Sequence, residues 1–322
     1  MTIRNRFVVV FLMAVASLVV RQSARAWGCK GHQVVALIAE SNLTPHAREM
    51  AMQILAASPV SPELRRNCGD SGLDVFADSS TWADDERSVD RGTAGWHFVD
   101  IPLGVSDGEI SKYCPPTSGC VTSAIAAELA TLRNPNASAK GRADALRYVI
   151  HFMGDLHQPL HTTTNNDLGG NCLPVAFDGH DPEEANAESG SYRPNLHSVW
   201  DTGLIERFSQ GESPQQLAEK LEDEFKSKIP AWQSEPVDVN AWVWRSHQVA
   251  QQIVYGRLPV AVSVEVPQDV KSCSADNRVS DRLFKLHEQL GDEYDASADV
   301  AIQEQLAKAG VRLAEVLNSI WP

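Results

Sequence analysis

The chain has 322 residues and carries 28 lysines and arginines against 42 aspartates and glutamates, for a net charge of −14 at pH 7. Proteins that bind duplex nucleic acid through its phosphates are normally basic, so this balance argues against a broad electrostatic footprint for nucleic acid. The balance does not exclude an anionic substrate held by bound cations, which supply the largest local charge in such sites.

The first 26 residues have the pattern of a secretory signal peptide. Two arginines precede an apolar run over residues 7–20, and Ala24-Arg25-Ala26 is typical of a cleavage site. The run is shorter than the roughly 20 residues of a spanning helix. We predict cleavage after Ala26, a secreted or periplasmic location without membrane insertion, and a mature domain over residues 27–322.

The remaining sequence has mainly helical periodicity and no firm internal boundary, which predicts a single all-α domain. Spacing of apolar residues and capping residues predict helices over residues 34–41, from Thr44-Pro45 onward, and over 122–133, 138–157, 196–208, 213–228, 239–255, 280–290 and 298–320. Leu146, Val149, Ile150 and Met153 form the predicted core face of the fourth of these. A glycine-containing segment over residues 169–179 predicts a short β-hairpin, and residues 181–191 predict a surface loop.

All six cysteines lie after the predicted cleavage site. An even count in an exported protein indicates disulfides and not thiolate metal ligands. Cys114 and Cys120 bracket a short Pro-Pro-Thr-Ser-Gly loop and are the predicted local pair. The pairing of the other four cysteines cannot be read from the sequence.

The segment from His151 to His161, H-F-M-G-D-L-H-Q-P-L-H, has more ligand-type side chains than packing requires. Histidine and aspartate both bind zinc. His151 and Asp155 stand at i and i+4, so a helix presents both from one face. Pro159 ends that helix and allows His161 to turn back toward a neighbouring metal. We predict a metal site here, with His157 orienting a ligand by hydrogen bonding.

Three other segments carry the same residue types. N-L-H-S-V-W-D at residues 195–201 repeats the helical i, i+4 pair in His197 and Asp201. W-A-D-D-E-R at 82–87 and W-H-F-V-D at 96–100 add Asp84 and His97. In W-G-C-K-G-H at 27–32, signal cleavage would free an α-amino group with a pKa low enough for metal binding.

Taken together, these motifs resemble the S1/P1 nuclease family, the zinc-dependent relatives of bacterial phospholipase C. The resemblance rests on Trp27 followed five residues later by His32, and on W-A-D-x-x-R, H-F-x-D, H-x-x-G-D-x-H-Q-P-L-H, G-G-N and N-L-H-x-x-W-D, in that order up to Asp201. It implies a mostly helical domain of the phospholipase C/P1 nuclease type, with disulfide-tied loops and three zinc ions in a cleft.

The resemblance also implies which residues bind each ion. The first zinc would be bound by Asp84, His97, His151 and Asp155. A second would be bound by the amino and carbonyl groups of Trp27, by His32 and by Asp155, which would bridge the close pair. The third would be bound by His161, His197 and Asp201.

A mechanism follows from the same resemblance. A hydroxide held between the paired zincs would attack phosphorus in line, and the third zinc would stabilise the departing 3′-oxygen. Arg87 matches a transition-state arginine, and Asp100 matches the acid that orients this arginine and the active-site water; with Asp84 they form the implied catalytic set. Phe98 matches an aromatic residue that stacks on a nucleobase. The implied substrates are single-stranded DNA, RNA and 3′-nucleotides, cleaved by a monomer to 5′-phosphorylated products and with 3′-nucleotidase activity.

Other interpretations of the same residues exist. Arg87 and Asp100 could form a structural ion pair, and Phe98 could belong to the core. The main functional alternative is a zinc-dependent phospholipase C on the same scaffold, and a second is a non-catalytic zinc-binding exported protein. The short spacing from Trp27 to His32, and Asp at position 201, favour the nuclease.

Overall fold

In the computed structural model, which describes residues 27–69, 71–182, 193–258, 273 and 288–322, most of the backbone is helical and very little of it is in strands. The α-helices of this part of the chain are α1 (Cys29–Asn42), α2 (Pro45–Ala56), α3 (Val75–Ser79), α4 (Trp82–Val89), α5 (Val121–Arg133), α6 (Ala139–Asp155), α7 (Leu196–Ser198), α8 (Leu204–Ser209), α9 (Pro214–Phe225), α10 (Ile229–Gln233), α11 (Val239–Val249) and α12 (Asp292–Ile320). The predicted all-α class is confirmed.

Shorter helical turns connect or extend these helices. They are 3₁₀ turns at Pro62–Leu64, Arg91–His97, Ile110–Tyr113 and Pro159–His161, and π-helical turns at Val199–Gly203 and Ala250–Val254. The first π-helical turn joins α7 to α8, and the second extends α11. Such turns are frequent near functional sites because they change the phase of the side chains that follow.

Helix starts follow the capping residues in the sequence. The side chain of Thr44 accepts a hydrogen bond from the backbone N–H of Ala47, with Pro45 in the first turn of α2. Ser138 caps α6 in the same way through the N–H of Gly141. A cap of this kind satisfies one of the backbone donors that a helix leaves without an intrahelical partner.

The core lies between α1, α6 and α12. Leu146, Val149, Ile150 and Met153, the predicted core face of α6, are all buried. Gly310 of α12 lies against α1, where an added Cβ would be 2.6 Å from the Cβ of Ile38. Since any larger side chain would push the two helices apart, a glycine at this position is required for their close packing.

The predicted β-hairpin is wrong in its pairing. Val175–Ala176 (β1) pairs in parallel with Glu288–Gln289 (β2), far along the chain. The local turn does exist: Phe177 and His180 exchange both backbone hydrogen bonds around Asp178 and Gly179. Both central residues have positive φ, as a two-residue turn requires. The turn therefore closes on a single bridge, while the strand beside it pairs with a distant segment.

Three disulfides tie loops to the helices: Cys29–Cys68, Cys114–Cys120 and Cys172–Cys273. The predicted local pair is confirmed. The first bond fixes the first residue of α1 to the loop that follows α2, close to Trp27.

Two predictions fall at the edges of the described chain. The surface loop predicted over residues 181–191 lies mostly outside the described residues. The helix predicted over residues 280–290 lies outside the described residues up to residue 287. At residues 288–289 the prediction is wrong, because these residues form β2. None of the helices in the described residues combines the length and apolar character needed to cross a membrane.

Candidate metal centre

The last turn of α6 carries the first pair of candidate ligands. His151 and Asp155 lie on one face of the helix, with 3.2 Å between Nε2 of His151 and Oδ2 of Asp155. Both side chains are completely buried. The 3₁₀ turn Pro159–His161 follows and brings His161 back toward this face, with its Nδ1 4.0 Å from Oδ1 of Asp155.

The N-terminal segment approaches the same face from α1. The His32 ring stacks on the His151 ring, with 3.9 Å between centroids, and its Nε2 lies 3.5 Å from Oδ1 of Asp155. Trp27 is buried, and its indole N–H donates to the carbonyl oxygen of Gly154 at 2.7 Å. Trp27 is therefore packed directly against the candidate site.

Asp84 and His97 complete this group from a third direction. Asp84 lies on α4, and His97 ends the 3₁₀ turn that follows. Nδ1 of His97 lies 2.9 Å from Oδ2 of Asp155 and 3.1 Å from Nε2 of His151. Oδ1 of Asp84 lies 3.9 Å from the same nitrogen of His151. We call His32, Asp84, His97, His151 and Asp155 the inner cluster.

Apart from Trp27, whose backbone groups are the predicted ligands, three predicted ligands remain, and they form a separate outer cluster made of His161, His197 and Asp201. Nε2 of His197 lies 3.2 Å from Nε2 of His161 and 3.2 Å from Oδ2 of Asp201. His197 lies on α7 and Asp201 in the π-helical turn after it, at the predicted i, i+4 spacing. In each cluster the ligand-type atoms form groups within 4.8 Å of one another.

Backbone carbonyls fix the orientation of three of these imidazoles. Nδ1 of His151 donates to Ser80, Nδ1 of His161 donates to His97, and Nδ1 of His197 donates to Gly169, at 2.7, 2.8 and 2.6 Å. A neutral ring that donates from Nδ1 presents a lone pair at Nε2. When both rings are neutral, the Nε2 atoms of His161 and His197 face each other as acceptors, an arrangement that a cation between them would satisfy.

Burial makes neutral rings the stable form at much of the centre. Burial, with the charge of neighbouring histidines added, lowers the pKa of His32, His97 and His161 well below the usual value. Burial also opposes charge on His151 and His197, but Asp155 and Asp201 outweigh it and raise the pKa of these two. Neutral imidazoles beside carboxylates are the ligand form that binds zinc.

Several buried atoms of the inner cluster have no hydrogen-bond partner among the described residues. They include both ring nitrogens of His32, Nε2 of His97 and Oδ1 of Asp155. Burying polar atoms without partners costs about 1–3 kcal/mol each. A metal ion among these side chains would be a partner for one nitrogen of His32 and for Oδ1 of Asp155, so the residues present fit a metal centre.

The other predicted site residues lie at the margin of the clusters. Nη2 of Arg87 lies 3.3 Å from Oδ1 of Asp84. Phe98 is 38% exposed, so it does not belong to the core. Asp100 is exposed to solvent. Desolvation by the surrounding protein, with the charge of Asp167 added, nevertheless raises its pKa to about 6.

Sequence reasoning was wrong about His157. Its Nδ1 donates to the carbonyl of Met153, and its Nε2 accepts from the guanidinium of Arg312. Both ring nitrogens are therefore used within the core, and the ring has no hydrogen left to orient a candidate ligand.

The loop before Gly169 contains residues that the sequence did not single out. Asp167 is buried, and its carboxylate accepts from the Tyr255 hydroxyl and the Gly170 N–H, both at 2.9 Å. Leu168 is 38% exposed and has a φ of 56°, which is an outlier for a leucine. Gly169 has a φ of 61°, and a Cβ there would lie 2.7 Å from the Leu160 carbonyl. The loop thus presents the Gly169 carbonyl to His197, and the preceding residue of the chain, Leu168, exposes an apolar side chain.

Residues 27–322 match the family model described as S1/P1 Nuclease. This chain belongs to the S1/P1 nuclease family. It is similar to Nuclease S1 of Aspergillus oryzae, with 28% identity over 96% of this chain and 96% of the relative. It is also similar to Nuclease P1 of Penicillium citrinum (28%, over 91% and 97%) and to Endonuclease 3 of Arabidopsis thaliana (26%, over 98% and 95%).

Membership of the S1/P1 nuclease family supports a hydrolase that acts on the phosphoester bonds of nucleic acids. The family model begins at Trp27, the residue after the predicted cleavage site. The three disulfides are consistent with export.

Proposed function

We propose that this protein is an exported zinc-dependent nuclease that hydrolyses single-stranded DNA and RNA to 5′-phosphorylated products and also removes phosphate from 3′-nucleotides. The observation that supports it best is the convergence of imidazole nitrogens and carboxylate oxygens into three metal-sized groups. Bound divalent ions would supply Lewis acidity for in-line displacement at phosphorus.

The proposed ligands follow the two clusters. Asp155 lies between His32 and the pair formed by His97 and His151, so its two oxygens face different neighbours. It is therefore suited to bridge two ions. The full proposed set is Asp84, His97, His151 and Asp155 for one ion, the Trp27 amino and carbonyl groups with His32 and Asp155 for a second, and His161, His197 and Asp201 for a third.

The chain's own residues would bind and orient the substrate around these ions. Arg87 reaches the inner cluster through Asp84, where its guanidinium can contact phosphoryl oxygens. Phe98 follows His97 directly and offers an exposed ring on which an unpaired nucleobase can stack. We propose that Asp100 orients Arg87 and the attacking water. Desolvation, with the charge of Asp167 added, raises its pKa to about 6, so the carboxylate form prevails above that pH.

The preference for single strands follows from this arrangement. A stacking contact to Phe98 requires a base that has left its pair, which costs a duplex several kcal/mol. The acidic surface gives a duplex no compensating backbone contact.

Export would complete the site. Signal cleavage after Ala26 would free the Trp27 amino group at a position already held by the Trp27 indole bond to Gly154. The backbone N–H of Gly28 adds a second anchor, because it donates to the Asp201 carbonyl at 2.7 Å. An uncleaved or extended chain would lack that amino ligand and bind zinc more weakly.

One experiment tests the proposal as a whole. Protein purified after native export is analysed for zinc per chain by mass spectrometry and assayed on single-stranded DNA, duplex DNA, adenosine 3′-monophosphate and phosphatidylcholine. We expect about three zinc ions, consistent with the three ligand groups, and faster cleavage of single strands than of duplex. Rapid lipid hydrolysis without nucleic-acid cleavage would overturn the proposal in favour of a phospholipase C. A matched protein with one extra residue before Trp27 tests the terminal ligand.

A further inference from the structure

Gln158 is completely buried between α6 and the turn that carries His161. Its side-chain oxygen accepts from the backbone N–H of Leu160 at 2.6 Å. Since that backbone group can only donate, the atom facing it must be the oxygen, and the amide cannot be flipped. The NH₂ group therefore points the other way, toward the outer cluster.

On that side, the NH₂ group of Gln158 donates to Oδ1 of Asp201 at 2.6 Å. This bond assigns the two carboxylate oxygens to different partners, because Oδ2 lies 3.2 Å from Nε2 of His197. Asp201 is also held at its backbone, where its carbonyl accepts from the Gly28 N–H. Gln158 thus determines which oxygen of Asp201 faces into the outer cluster.

We propose that Gln158 is a positioning residue that holds the Asp201 carboxylate in the orientation needed to bind a metal ion in the outer cluster. The proposal rests on the proposed function, which places an ion there. Outer partners that orient metal ligands typically change metal affinity by about 10- to 100-fold when removed.

The role of Gln158 can be tested by substitution, whereas the groups that orient the two imidazoles of the outer cluster cannot be removed in this way. His161 and His197 are oriented by the backbone carbonyls of His97 and Gly169, which no substitution removes. The support for Asp201 comes from a side chain. A single substitution at position 158 can therefore release one ligand of the outer cluster while the two imidazoles keep their orientation.

The test compares the parent protein with Gln158→Met, which keeps the length of the side chain but can neither donate to Asp201 nor accept from Leu160. A second variant, Gln158→Asn, stays polar but is one methylene shorter and cannot span both partners. The matched control is Gln305→Met. Gln305 is also buried, but its NH₂ donates to the His157 carbonyl and the Ser246 hydroxyl and not to a candidate ligand.

Zinc affinity is measured by competition with a chromogenic chelator, and zinc per chain by mass spectrometry after dialysis. Both Gln158 variants should lose about one zinc ion per chain under dialysis that leaves the parent loaded, with an affinity for that ion lowered about 10- to 100-fold. Their kcat on single-stranded DNA should fall and recover with excess zinc. Gln305→Met should lose thermal stability without losing zinc.

The outcomes separate the two proposals. A parent protein that binds no zinc refutes the proposed function and, with it, the role of Gln158. A zinc-loaded, active parent whose folded Gln158 variants hold all their zinc as tightly as the parent overturns the role of Gln158 alone. Equal zinc loss in Gln305→Met also overturns it, because the effect would then come from loosened packing.

Discussion

A substitution at Gly154 would test how tightly the inner cluster is packed against α6. A Cβ at this position would lie 2.9 Å from Nδ1 and 3.2 Å from Cε1 of the His32 ring. Ordinary van der Waals contact begins at 3.4 Å. The substitution Gly154→Ala therefore requires the imidazole to move by about 0.5 Å. Functional side chains must be held in position to within about this distance, so the shift should be felt at the site. The same ring stacks on His151, so its displacement disturbs a second candidate ligand.

The expected effects on stability and activity differ. Alanine in a helix interior is favoured over glycine by about 1 kcal/mol, while overpacking costs about 1–3 kcal/mol. The net loss of unfolding free energy should therefore lie between about 0 and 2 kcal/mol. A misplacement of about 1 Å costs roughly 100-fold in rate. About half that displacement predicts a loss of about tenfold in kcat/KM, equivalent to about 1.4 kcal/mol.

The assay measures kcat/KM on single-stranded DNA and zinc per chain for Gly154→Ala, with urea unfolding as the stability measure. Gly141→Ala is the matched control in the same helix, because a Cβ there meets only the Ser138 hydroxyl, at 3.1 Å. The control should keep the parent's zinc content and kcat/KM. If Gly154→Ala retained kcat/KM within twofold of the parent, the His32 ring would not be a closely held ligand and the reasoning would fail.

Further substitutions probe other parts of the structure. Leu168→Asn should raise the free energy of unfolding by up to about 1 kcal/mol, because asparagine tolerates the left-handed backbone. The variant should also have a higher KM, because it loses an exposed apolar side chain that could contact the substrate. An unchanged KM would contradict such a contact. Burial, reinforced by Asp74, raises the pKa of Glu40 from 4.5 to about 7. As the pH rises, the Glu40 carboxyl therefore loses its proton in the unfolded chain before it does so in the folded one, and the free energy of unfolding should fall between pH 4.5 and 7. Glu40→Gln should reduce that fall when the free energy is measured by urea unfolding at several pH values. Parallel curves for the parent and the variant would contradict this. Replacing Cys29 and Cys68 with serine opens a loop of 39 residues and should lower the free energy of unfolding by about 4 kcal/mol, measured by thermal unfolding. The zinc content should fall as well. An unchanged zinc content would show that Trp27 is held in place without the disulfide.

The parts of the site that depend on local spacing could be predicted from sequence. His151 and Asp155 lie one helical turn apart, so the formation of α6 suffices to bring them together. The same holds for the spacing of His197 and Asp201, and for the short loop between Cys114 and Cys120. In each case the two residues are only a few positions apart in the sequence, so the local backbone determines the distance between them.

Contacts between distant segments could not be predicted from spacing. Asp84 and His97 reach the inner cluster through α4 and a 3₁₀ turn, neither of which has an apolar periodicity that predicts it. The sequence singled them out as residue types that bind zinc, but only the family resemblance assigned them to the same ion as His151 and Asp155. The hairpin prediction failed for a related reason: β1 has correct local turn chemistry, but its hydrogen-bond partner lies more than 100 residues away. Local sequence does not encode which distant strand an extended segment will pair with.

The residues around the ligands were missed for two further reasons. Gln158 acts through the direction of its amide, which is set by a backbone N–H in the folded turn. Leu168 is distinguished by its φ angle, and no residue type in the sequence announces an unusual leucine backbone. His157 shows the opposite error, since the sequence predicts that it orients a metal ligand by hydrogen bonding, whereas Met153 and Arg312 use both of its ring nitrogens.

The acidic composition and an anionic substrate can be reconciled at the proposed centre itself. Asp84, Asp155 and Asp201 contribute three negative charges there, and the surrounding imidazoles include neutral rings. Three divalent ions would leave a local charge of about +3 in a buried setting, where charges act more strongly than at the surface. The attraction for phosphate would then be confined to the proposed centre, while the net negative charge of the chain repels polyanions. A flexible single strand could bring one phosphate to that centre, but a rigid duplex would bring a long stretch of its backbone close to an acidic protein. The net charge therefore acts as part of the proposed selectivity.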